Sequence, residues 1–371
     1  MTAPMTFPSG RASKAPVVPQ CQPVTLALQG GGSLGAFAWG VLDRLLDVPG
    51  LRIEVVSGAS AGAMNAALLV QGLATGGPSE ARRLLETFWR RVAVTSGSPD
   101  VAGPAGWLFP FSGIMAPMAD ALRQTTKGLA RQQINPLGLN PLRSVLEGLF
   151  DPAVLSRKGA PSLVVSATRV STGEARLFRG SEVTADVLLA SSCLPQLFPA
   201  VQIEGEFYWD GGFASNPPLR ALIEAGAPAD VILIRTTPQE RPDLPTSAAA
   251  VLERTEEMTF GAALRQELRS LALAQQLLAD LPAAPGVLAR LRDARLHAIG
   301  AEEEFRALKS GSHQDASWAF LQQMRELGQN AAERWLAAEF GDVGTRSTMD
   351  LSNFAGPVLE HSLAAQSVGA T

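Results

Sequence analysis

A serine between glycines and alanines is the first residue whose setting suggests catalysis. Ser60 lies at the centre of the sequence GASAG, residues 58–62. The largely apolar run 53–56 precedes it and the small-residue stretch 61–70 follows, which predicts a strand, a sharp turn and a helix. Such a turn exposes a serine hydroxyl to a substrate carbonyl, and the helix directs free N–H groups at a developing oxyanion. The alternative is a serine that only caps the helix by accepting from the Ala63 N–H.

A glycine-rich loop lies upstream of this serine, after the predicted strand 24–28. Gly30, Gly32 and Gly35 match the G-x-G-x-x-G pattern of dinucleotide-binding loops, and Glu54 could be the ribose ligand. However, Glu54 lies inside its predicted strand, whereas a ribose ligand is expected at the strand end. The alternatives are a purely structural turn, or an oxyanion hole formed by the N–H groups of Gly31 and Gly32. We favour the oxyanion hole.

An aspartate is the best-placed candidate base for the serine. Asp210 follows the predicted strand 206–209 and precedes Gly211 and Gly212, so its carboxylate lies on a turn with few side chains. An Asp-Gly pair is also common in turns with no catalytic role. With an ordinary pKa of about 3.9, an aspartate is a weak base near neutral pH. Four neighbouring aromatic residues are expected to raise the pKa of Asp210 by desolvation. They are Phe207, Tyr208, Trp209 and Phe213.

A histidine is the alternative base. The order Ser60, Asp210, His297 matches the order of nucleophile, acid and base in α/β-hydrolases. His297 lies in the alternating stretch 295–299, which predicts a strand, so we favour a structural role for it. The other two histidines, His313 and His361, lie in polar segments and have weaker claims.

Three short blocks together resemble the signatures of patatin-like phospholipases. They are GGGSLG at 30–35, GASAG at 58–62 and DGG at 210–212. The segment 190–199 is similar to the family's block before the aspartate, and Asn216-Pro217 resembles its Asn-x-Pro element. The resemblance covers residues 24 to 234, and beyond this it is a less specific similarity to bacterial members with an added helical region.

The resemblance implies a fold and a mechanism. The fold would be a three-layer α/β structure with a mostly parallel central sheet and a C-terminal helical extension. Ser60 would be the nucleophile and Asp210 the proton acceptor of a dyad without histidine, metal or cofactor. The oxyanion hole would be formed by N–H groups of Gly31, Gly32 and Ala61. The supporting motif residues would be Gly30, Gly35, Gly58, Gly62, Gly211, Gly212 and Asn216.

The resemblance also implies a substrate class, the carboxylic esters of lipids, cleaved by a lipid acyl hydrolase of the phospholipase A or esterase type. One position departs from the family, since Ser33-Leu34 stands where many members carry Arg or Lys. This departure weakens recognition of a phosphoglyceride headgroup more than it weakens ester hydrolysis. Two rival hypotheses remain: an esterase with a Ser60, Asp210 and His297 triad, and a non-catalytic module that binds a nucleotide or a lipid.

Composition limits the other function classes. With 371 residues, 46% hydrophobic and 18% charged, the chain is expected to fold around a sizeable core. A net charge of −4 and the lack of a basic block disfavour nucleic acid as a partner. Cys21 and Cys193 are the only cysteines, which favours a reducing compartment. Without a signal-like or membrane-spanning run, we expect a cytoplasmic protein with peripheral contact to a membrane or lipid surface, and we predict no particular oligomeric state.

The sequence divides into four parts. Residues 1–23 and 341–371 are expected to be disordered tails, 24–235 the catalytic domain, and 236–340 a mainly helical extension packed on it. An insertion at about 95–136 carries an apolar patch, which is either a loop packed on the core or a contact for acyl chains or membranes. Two antiparallel hairpins are predicted, at 162–178 and at 201–209.

Overall fold

The structure is a computed structural model that describes residues 22–97, 140–281, 285–308 and 311–354. The first of these ranges opens with a strand at Gln22, so residues 22 and 23, which the prediction placed in the tail, belong to that strand. The predictions for residues 1–21, for nearly all of the apolar insertion and for residues 355–371 lie outside the described residues.

A mixed sheet of eight strands forms the centre of the described chain. Its order is β5-β6-β3-β2-β1-β7-β8, with β4 also paired to β3. The strands β1, β2, β3, β7 and β8 run parallel to one another, while β4 and β6 are antiparallel to β3, and β5 to β6. Both predicted hairpins and the mostly parallel sheet are therefore confirmed. The strands are β1 Gln22–Leu28, β2 Leu51–Gly58, β3 Ser162–Arg169, β4 Ala175–Arg179, β5 Val201–Ile203, β6 Glu206–Asp210, β7 Asp230–Ile234 and β8 Arg295–Ile299.

Nine α-helices connect and cover these strands in the described ranges. The second is broken at Gly77, where φ is 71°, and Pro78 starts its second half. The helices are α1 Gly35–Leu45, α2 Ala61–Thr95, α3 Pro141–Leu146, α4 Ala185–Ser191, α5 Leu219–Glu224, α6 Ala248–Leu278, α7 Val287–Asp293, α8 Glu302–Arg306 and α9 Trp318–Ala338.

Both faces of the sheet are buried, which makes the fold a three-layer α/β structure. In β7, Ile232 and Ile234 belong to one hydrophobic core, while Val231 and Leu233 belong to another, because successive side chains of a strand point to opposite faces. The first core is shared with α1, α2 and α9. The second is shared with α5, α6 and α7. Helices of the C-terminal region thus contribute to both outer layers.

Helix α9 joins the first layer by a close crossing with α1. A Cβ atom on Gly40 of α1 or on Gly328 of α9 would collide with the main chain of the other helix. Close by, the Arg325 guanidinium donates to the buried Asp43 carboxylate at 2.7 Å. Burial raises the pKa of Asp43, although the charge of Arg325 opposes the rise.

The prediction of a disordered tail from residue 341 is wrong for residues 341–354. This segment carries the 3₁₀ turns Phe340–Asp342 and Leu351–Phe354 and buries Val343, Met349 and Leu351. Its sparse apolar residues show no helical or strand period, so the sequence pattern gave no sign of order. They are ordered by distant segments, because the Thr348 and Met349 N–H groups donate to the Leu296 carbonyl of β8. Met349 and Leu351 also belong to the second hydrophobic core.

Candidate active site

The loops after three neighbouring strands meet at one edge of the sheet. Leu28 of β1 is in register with Gly58 of β2 and with Ile234 of β7, so these parallel strands end together. Asp210 of the antiparallel β6 pairs with Ala167 near the carboxyl end of β3. Ligand sites of parallel sheets lie at this edge, and the candidate residues of the sequence are brought together there.

Ser60 occupies a strained turn between β2 and α2. Its backbone has φ 54° and ψ −129°, a region that residues with a side chain rarely adopt. The Ser60 N–H donates both to the carbonyl and to the hydroxyl oxygen of Ser191, at 3.1 and 3.0 Å. The Ser60 side chain makes no capping hydrogen bond to α2, so the capping alternative is wrong. Its half-buried hydroxyl is left for another role.

The motif glycines let neighbouring segments approach closely around Ser60 and Asp210. A Cβ atom on Gly30 would lie 2.7 Å from the Ser60 Cβ, and one on Gly35 would lie 2.7 Å from the Ala61 Cβ. Added Cβ atoms at four further glycines would also collide with their neighbours, so these positions exclude side chains. They are Gly58, Gly62, Gly211 and Gly212.

Asp210 is fully buried and its backbone is held on both sides. Its N–H donates to the Cys193 carbonyl at 2.8 Å, and its own carbonyl accepts from the Thr168 hydroxyl at 2.8 Å. Burial raises the pKa of the Asp210 carboxyl to about 7, although hydrogen bonds from the Gly212 N–H and the Ser60 hydroxyl oppose the rise. This value suits a general base near neutral pH.

The two carboxylate oxygens of Asp210 differ. Oδ1 accepts from the Gly212 N–H at 2.8 Å. Oδ2 is buried and receives no hydrogen bond of regular geometry from the described residues, although the Ser60 hydroxyl is close enough to lower the carboxyl pKa. Oδ2 is therefore an acceptor open to Ser60, and such contacts often tighten only when substrate binds.

The aromatic residues around Asp210 do not all contribute as predicted. Phe207 is 49% exposed, so its expected role in desolvating Asp210 is wrong. It points to the opposite face of β6 from Asp210, because side chains alternate along a strand. Tyr208 shares the face of Asp210 and is fully buried. Phe213 packs against Phe260 of α6, with ring centroids 4.7 Å apart.

Three backbone N–H groups make up the predicted oxyanion hole, two in the glycine loop and one at the start of α2. Those of Gly31, Gly32 and Ala61 donate to no acceptor among the described residues. Gly32 has φ +59° and is exposed, and Ala61 is the first residue of α2. These are the N–H groups that the sequence proposed for an oxyanion hole.

Two side chains bond to the glycine loop and a third supports one of them, and sequence reasoning missed two of these three residues. Asn216, a predicted motif residue, accepts from the Gly30 N–H at 2.7 Å. The Thr236 hydroxyl donates to the Gly30 carbonyl at 2.8 Å, and the Gln29 side chain accepts from the Thr236 N–H at 2.9 Å. All three side chains are buried. No sequence motif marked Gln29 or Thr236.

The structure does not bring His297 into the site. Its Nε2 bonds to the Asp230 carboxylate at 3.1 Å and its Nδ1 to the Thr348 hydroxyl at 3.2 Å. It is fully buried in β8, three strands away from the β2 that leads to Ser60. Adjacent strands are about 4.8 Å apart, so the separation is on the order of 14 Å. Hydrogen bonds from Arg295, His297 and the Gly344 N–H hold the pKa of Asp230 below its usual range, although burial opposes this.

His313 lies near the glycine loop, a position that the sequence did not signal. It belongs to the 3₁₀ turn Ser312–Gln314, and its carbonyl oxygen would be 2.5 Å from a Cβ atom on Gly32. Its ring nitrogens lie 3.4 and 3.5 Å from the carboxylates of Glu253 and Glu256 on α6. Burial alone would lower the pKa of His313, but these carboxylates raise it.

The described residues hold no cluster of three or more His, Cys, Asp or Glu side chains arranged for a metal ion. Glu54, the ribose ligand of the nucleotide hypothesis, lies within β2 and pairs with Arg52 at 2.5 Å. Its strand continues to Gly58, so Glu54 is not at the strand end where a ribose ligand is expected. Among the described helices, none is both long and apolar enough to span a membrane.

The fold and the site define a three-layer α/β protein with a serine turn at the carboxyl edge of its sheet. A family model described as patatin-like phospholipase matches residues 26–223, more than half of the chain. The chain therefore belongs to the patatin-like phospholipase family, and this membership supports lipid acyl hydrolase activity. No curated protein gives a significant match to the sequence.

Solved structures of two bacterial proteins are similar to this chain. VipD from Legionella pneumophila is 16% identical with a TM-score of 0.33, and the match covers 84% of this chain and 67% of VipD. The structure of SpcU in complex with ExoU from the type III secretion system of Pseudomonas aeruginosa is 16% identical with a TM-score of 0.30. That match covers 86% of this chain and 53% of the other, so this chain spans about half of its length.

Proposed function

We propose that this protein hydrolyses carboxylic esters of lipids with a Ser60–Asp210 dyad. The observation that carries the proposal is the fully buried Asp210 carboxyl, whose pKa is raised to about 7, beside a serine on a strained turn. An aspartate with an ordinary pKa of about 3.9 would bind a serine proton too weakly to act as a base. Burial supplies the missing basicity, so the dyad needs no histidine.

In the first half of the reaction, the Ser60 Oγ–H bond breaks as its proton passes to Asp210, and Oγ bonds to the ester carbonyl carbon. The carbonyl oxygen becomes an oxyanion, which the N–H groups of Gly31, Gly32 and Ala61 would stabilise. The intermediate then collapses. The ester C–O bond breaks, the leaving alkoxide takes the proton from Asp210, and an acyl-serine remains.

In the second half, Asp210 takes a proton from water and the resulting hydroxide attacks the acyl-serine carbonyl. The same N–H groups hold the second oxyanion. Collapse breaks the bond to Ser60 Oγ, which regains the proton from Asp210, and the free carboxylic acid leaves. The enzyme returns to its starting protonation state, so one water is consumed for each ester.

The substrate class follows from the family and from the strength of the base. An alkoxide leaves more readily than an amine, so a carboxylate base without histidine favours esters over amides. The glycine loop carries Ser33-Leu34 rather than a basic residue, so it offers no cation to a phosphate headgroup. We therefore propose an acyl esterase of the phospholipase A or general lipase type.

Two assays test the proposal: hydrolysis of a panel of esters, and covalent labelling of the active-site serine. The substrates are phosphatidylcholine, lysophosphatidylcholine, triacylglycerol and p-nitrophenyl butyrate, and a fluorophosphonate probe reports the reactive serine. Ser60→Ala should abolish both labelling and hydrolysis, and Asp210→Asn should lower kcat by roughly a thousandfold or more. Ser144→Ala, at an exposed serine on α3, and Asp243→Asn, at an exposed aspartate, are the matched controls.

Hydrolysis that survives in Ser60→Ala would overturn the proposal. So would folded wild-type protein that neither reacts with the probe nor hydrolyses any member of the panel. That second result would favour the non-catalytic lipid-binding hypothesis, which vesicle sedimentation with the same lipids would then address.

A further inference from the structure

A threonine outside the family's matched segment bonds to one peptide of the glycine loop. Thr236 follows β7 and lies beyond residues 26–223, where the family model matches. It is fully buried, and its hydroxyl donates to the Gly30 carbonyl at 2.8 Å. A Cβ atom on Gly31 would lie 2.6 Å from the same hydroxyl oxygen. Thr236 therefore contacts the loop at Gly30 and at Gly31, the first proposed oxyanion donor.

The geometry of the peptide bond links this contact to the orientation of the Gly31 N–H. The Gly30 carbonyl and the Gly31 N–H belong to one planar peptide, and in a trans peptide the two bonds point in opposite directions. A carbonyl drawn towards buried Thr236 therefore turns the Gly31 N–H away from the interior. Glycines on both sides offer little steric resistance to rotation of this peptide plane. A hydrogen bond to this peptide therefore acts directly on its orientation.

The other side chains on the loop hold different groups. Asn216 accepts from the Gly30 N–H at 2.7 Å, which belongs to the preceding peptide. Gln29 accepts from the Thr236 N–H at 2.9 Å and donates to the Thr237 hydroxyl at 3.0 Å, so it holds Thr236 rather than the glycines. Among the described residues, Thr236 makes the side-chain hydrogen bond to the Gly30–Gly31 peptide itself.

We propose that Thr236 is a positioning residue that aims the Gly31 N–H at the oxyanion. The inference rests on the proposed function, because it assigns Thr236 to the oxyanion hole of that reaction. Gln29 supports it by fixing the Thr236 backbone. The interaction matters more in the transition state than in the ground state, since the negative charge on the ester oxygen develops there.

Three variants of the full chain test the proposal. Thr236→Val removes the hydroxyl and nearly keeps the shape, whereas Thr236→Ser keeps the hydroxyl. Thr25→Val is the matched control, because Thr25 is also fully buried and its hydroxyl donates to the Pro228 carbonyl at 3.2 Å. With p-nitrophenyl butyrate, Thr236→Val should lower kcat by about tenfold to a hundredfold while KM changes by less than about threefold. Thr236→Ser should restore most of kcat, and Thr25→Val should keep it.

A measurement without turnover reports the same peptide. The protein is labelled with glycine that carries ¹³C at the carbonyl and ¹⁵N at the amide. An NMR spectrum that correlates each amide with the preceding carbonyl then shows only Gly-Gly pairs. Their amides are those of Gly31, Gly32, Gly77 and Gly212. In Thr236→Val the Gly31 amide signal should shift or broaden through exchange, while the Gly77 signal stays in place. In Thr25→Val and Thr236→Ser the Gly31 signal should resemble that of the wild type.

The outcomes separate the positioning role from the proposed function. An active, probe-reactive wild type with an unchanged kcat in Thr236→Val overturns the positioning role alone. Equal losses of kcat in Thr236→Val and Thr25→Val do the same, because the effect would then be general destabilisation. A Gly31 signal that does not respond to Thr236→Val also overturns it. A wild type that neither hydrolyses esters nor reacts with the probe overturns the proposed function, and the positioning role with it.

Discussion

The backbone N–H of Ser60 donates to both oxygen atoms of Ser191, at 3.1 Å to the carbonyl and 3.0 Å to the hydroxyl. Two residues further on, the Cys193 carbonyl accepts from the Asp210 N–H at 2.8 Å. The segment from the last residue of α4, Ser191, to Cys193 thus holds the backbones of both candidate catalytic residues. It fixes the distance between the turn after β2 and the end of β6 without taking part in the chemistry.

Removal of the Ser191 hydroxyl should loosen the serine turn without destroying it. In Ser191→Ala the Ser60 N–H keeps the Ser191 carbonyl as an acceptor, so we expect kcat to fall only about threefold to tenfold. Esterase kinetics and the rate of fluorophosphonate labelling measure this change. Ser57→Ala is the matched control, because Ser57 is fully buried in β2 and its hydroxyl has no partner among the described residues. A Ser191→Ala enzyme as active as Ser57→Ala would show that the carbonyl alone holds the turn.

Activity should rise with pH as Asp210 loses its proton. The base must be ionised to accept the Ser60 proton, and burial raises the pKa of Asp210 to about 7. We therefore expect kcat/KM to increase about tenfold per pH unit below pH 7 and to level off above it. Initial rates with p-nitrophenyl butyrate between pH 5 and 9, at constant ionic strength, measure the profile. A rate that is already constant from pH 5 upwards would mean that the base has an ordinary aspartate pKa.

Asp210 should also make folding stability fall as pH rises. Its pKa is about 7 in the folded protein and about 3.9 in an unfolded chain. Between these values the folded state keeps a proton that the unfolded state has lost, so the free energy of unfolding decreases with increasing pH and levels off above about pH 7. The total loss is on the order of 4 kcal/mol. Asparagine does not titrate, so Asp210→Asn should lack this loss.

Urea unfolding at pH 5 and pH 8 measures the effect as a difference between variants. From pH 5 to pH 8 the free energy of unfolding of the wild type should fall by about 3 kcal/mol more than that of Asp210→Asn. Other titrating groups, including Asp43 and Glu267, contribute equally to both proteins and cancel. Asp243→Asn, at an exposed position, is expected to follow the wild type. If the stability of Asp210→Asn also followed that of the wild type, Asp210 would not be a buried carboxyl that keeps its proton near neutral pH.

His297 should support folding rather than catalysis. In His297→Gln, Asp230 loses its bond from the imidazole but keeps those from Arg295 and the Gly344 N–H. We expect a loss of roughly 1–3 kcal/mol in stability and a kcat within about threefold of wild type. Kinetics normalised to the fluorophosphonate-reactive fraction separate the two effects. A stable His297→Gln protein with kcat reduced a hundredfold or more would support the rival triad.

The candidate catalytic blocks could be recognised from the sequence because their constraints are local. A serine with only glycine and alanine beside it, placed between a strand and a helix, can form its turn from neighbouring residues alone. The same holds for Asp210, which lies between the end of a strand and two glycines. The strand periodicities of β1, β3 and β8 are local too, so the α/β class and the hairpins could be predicted.

What could not be predicted depends on residues distant in sequence. Thr236 bonds to a glycine 206 positions away. The His313 carbonyl lies against Gly32, while the His313 ring faces two glutamates of α6. The exposure of Phe207 depends on which face of β6 the outer layers cover. The ordered structure of residues 341–354 depends on their contacts with the edge strand β8.

The amino-acid sequence alone established the α/β class, the serine turn at Ser60 and the candidate base at Asp210, since short-range spacing and backbone freedom encode these features. Tertiary structure decided the rest. The burial of Asp210 raises the pKa of its carboxyl to about 7. Both ring nitrogens of His297 bond to residues outside the candidate site. Burial and partner choice are properties of the packed chain, because they are set by which distant segments exclude water from each group.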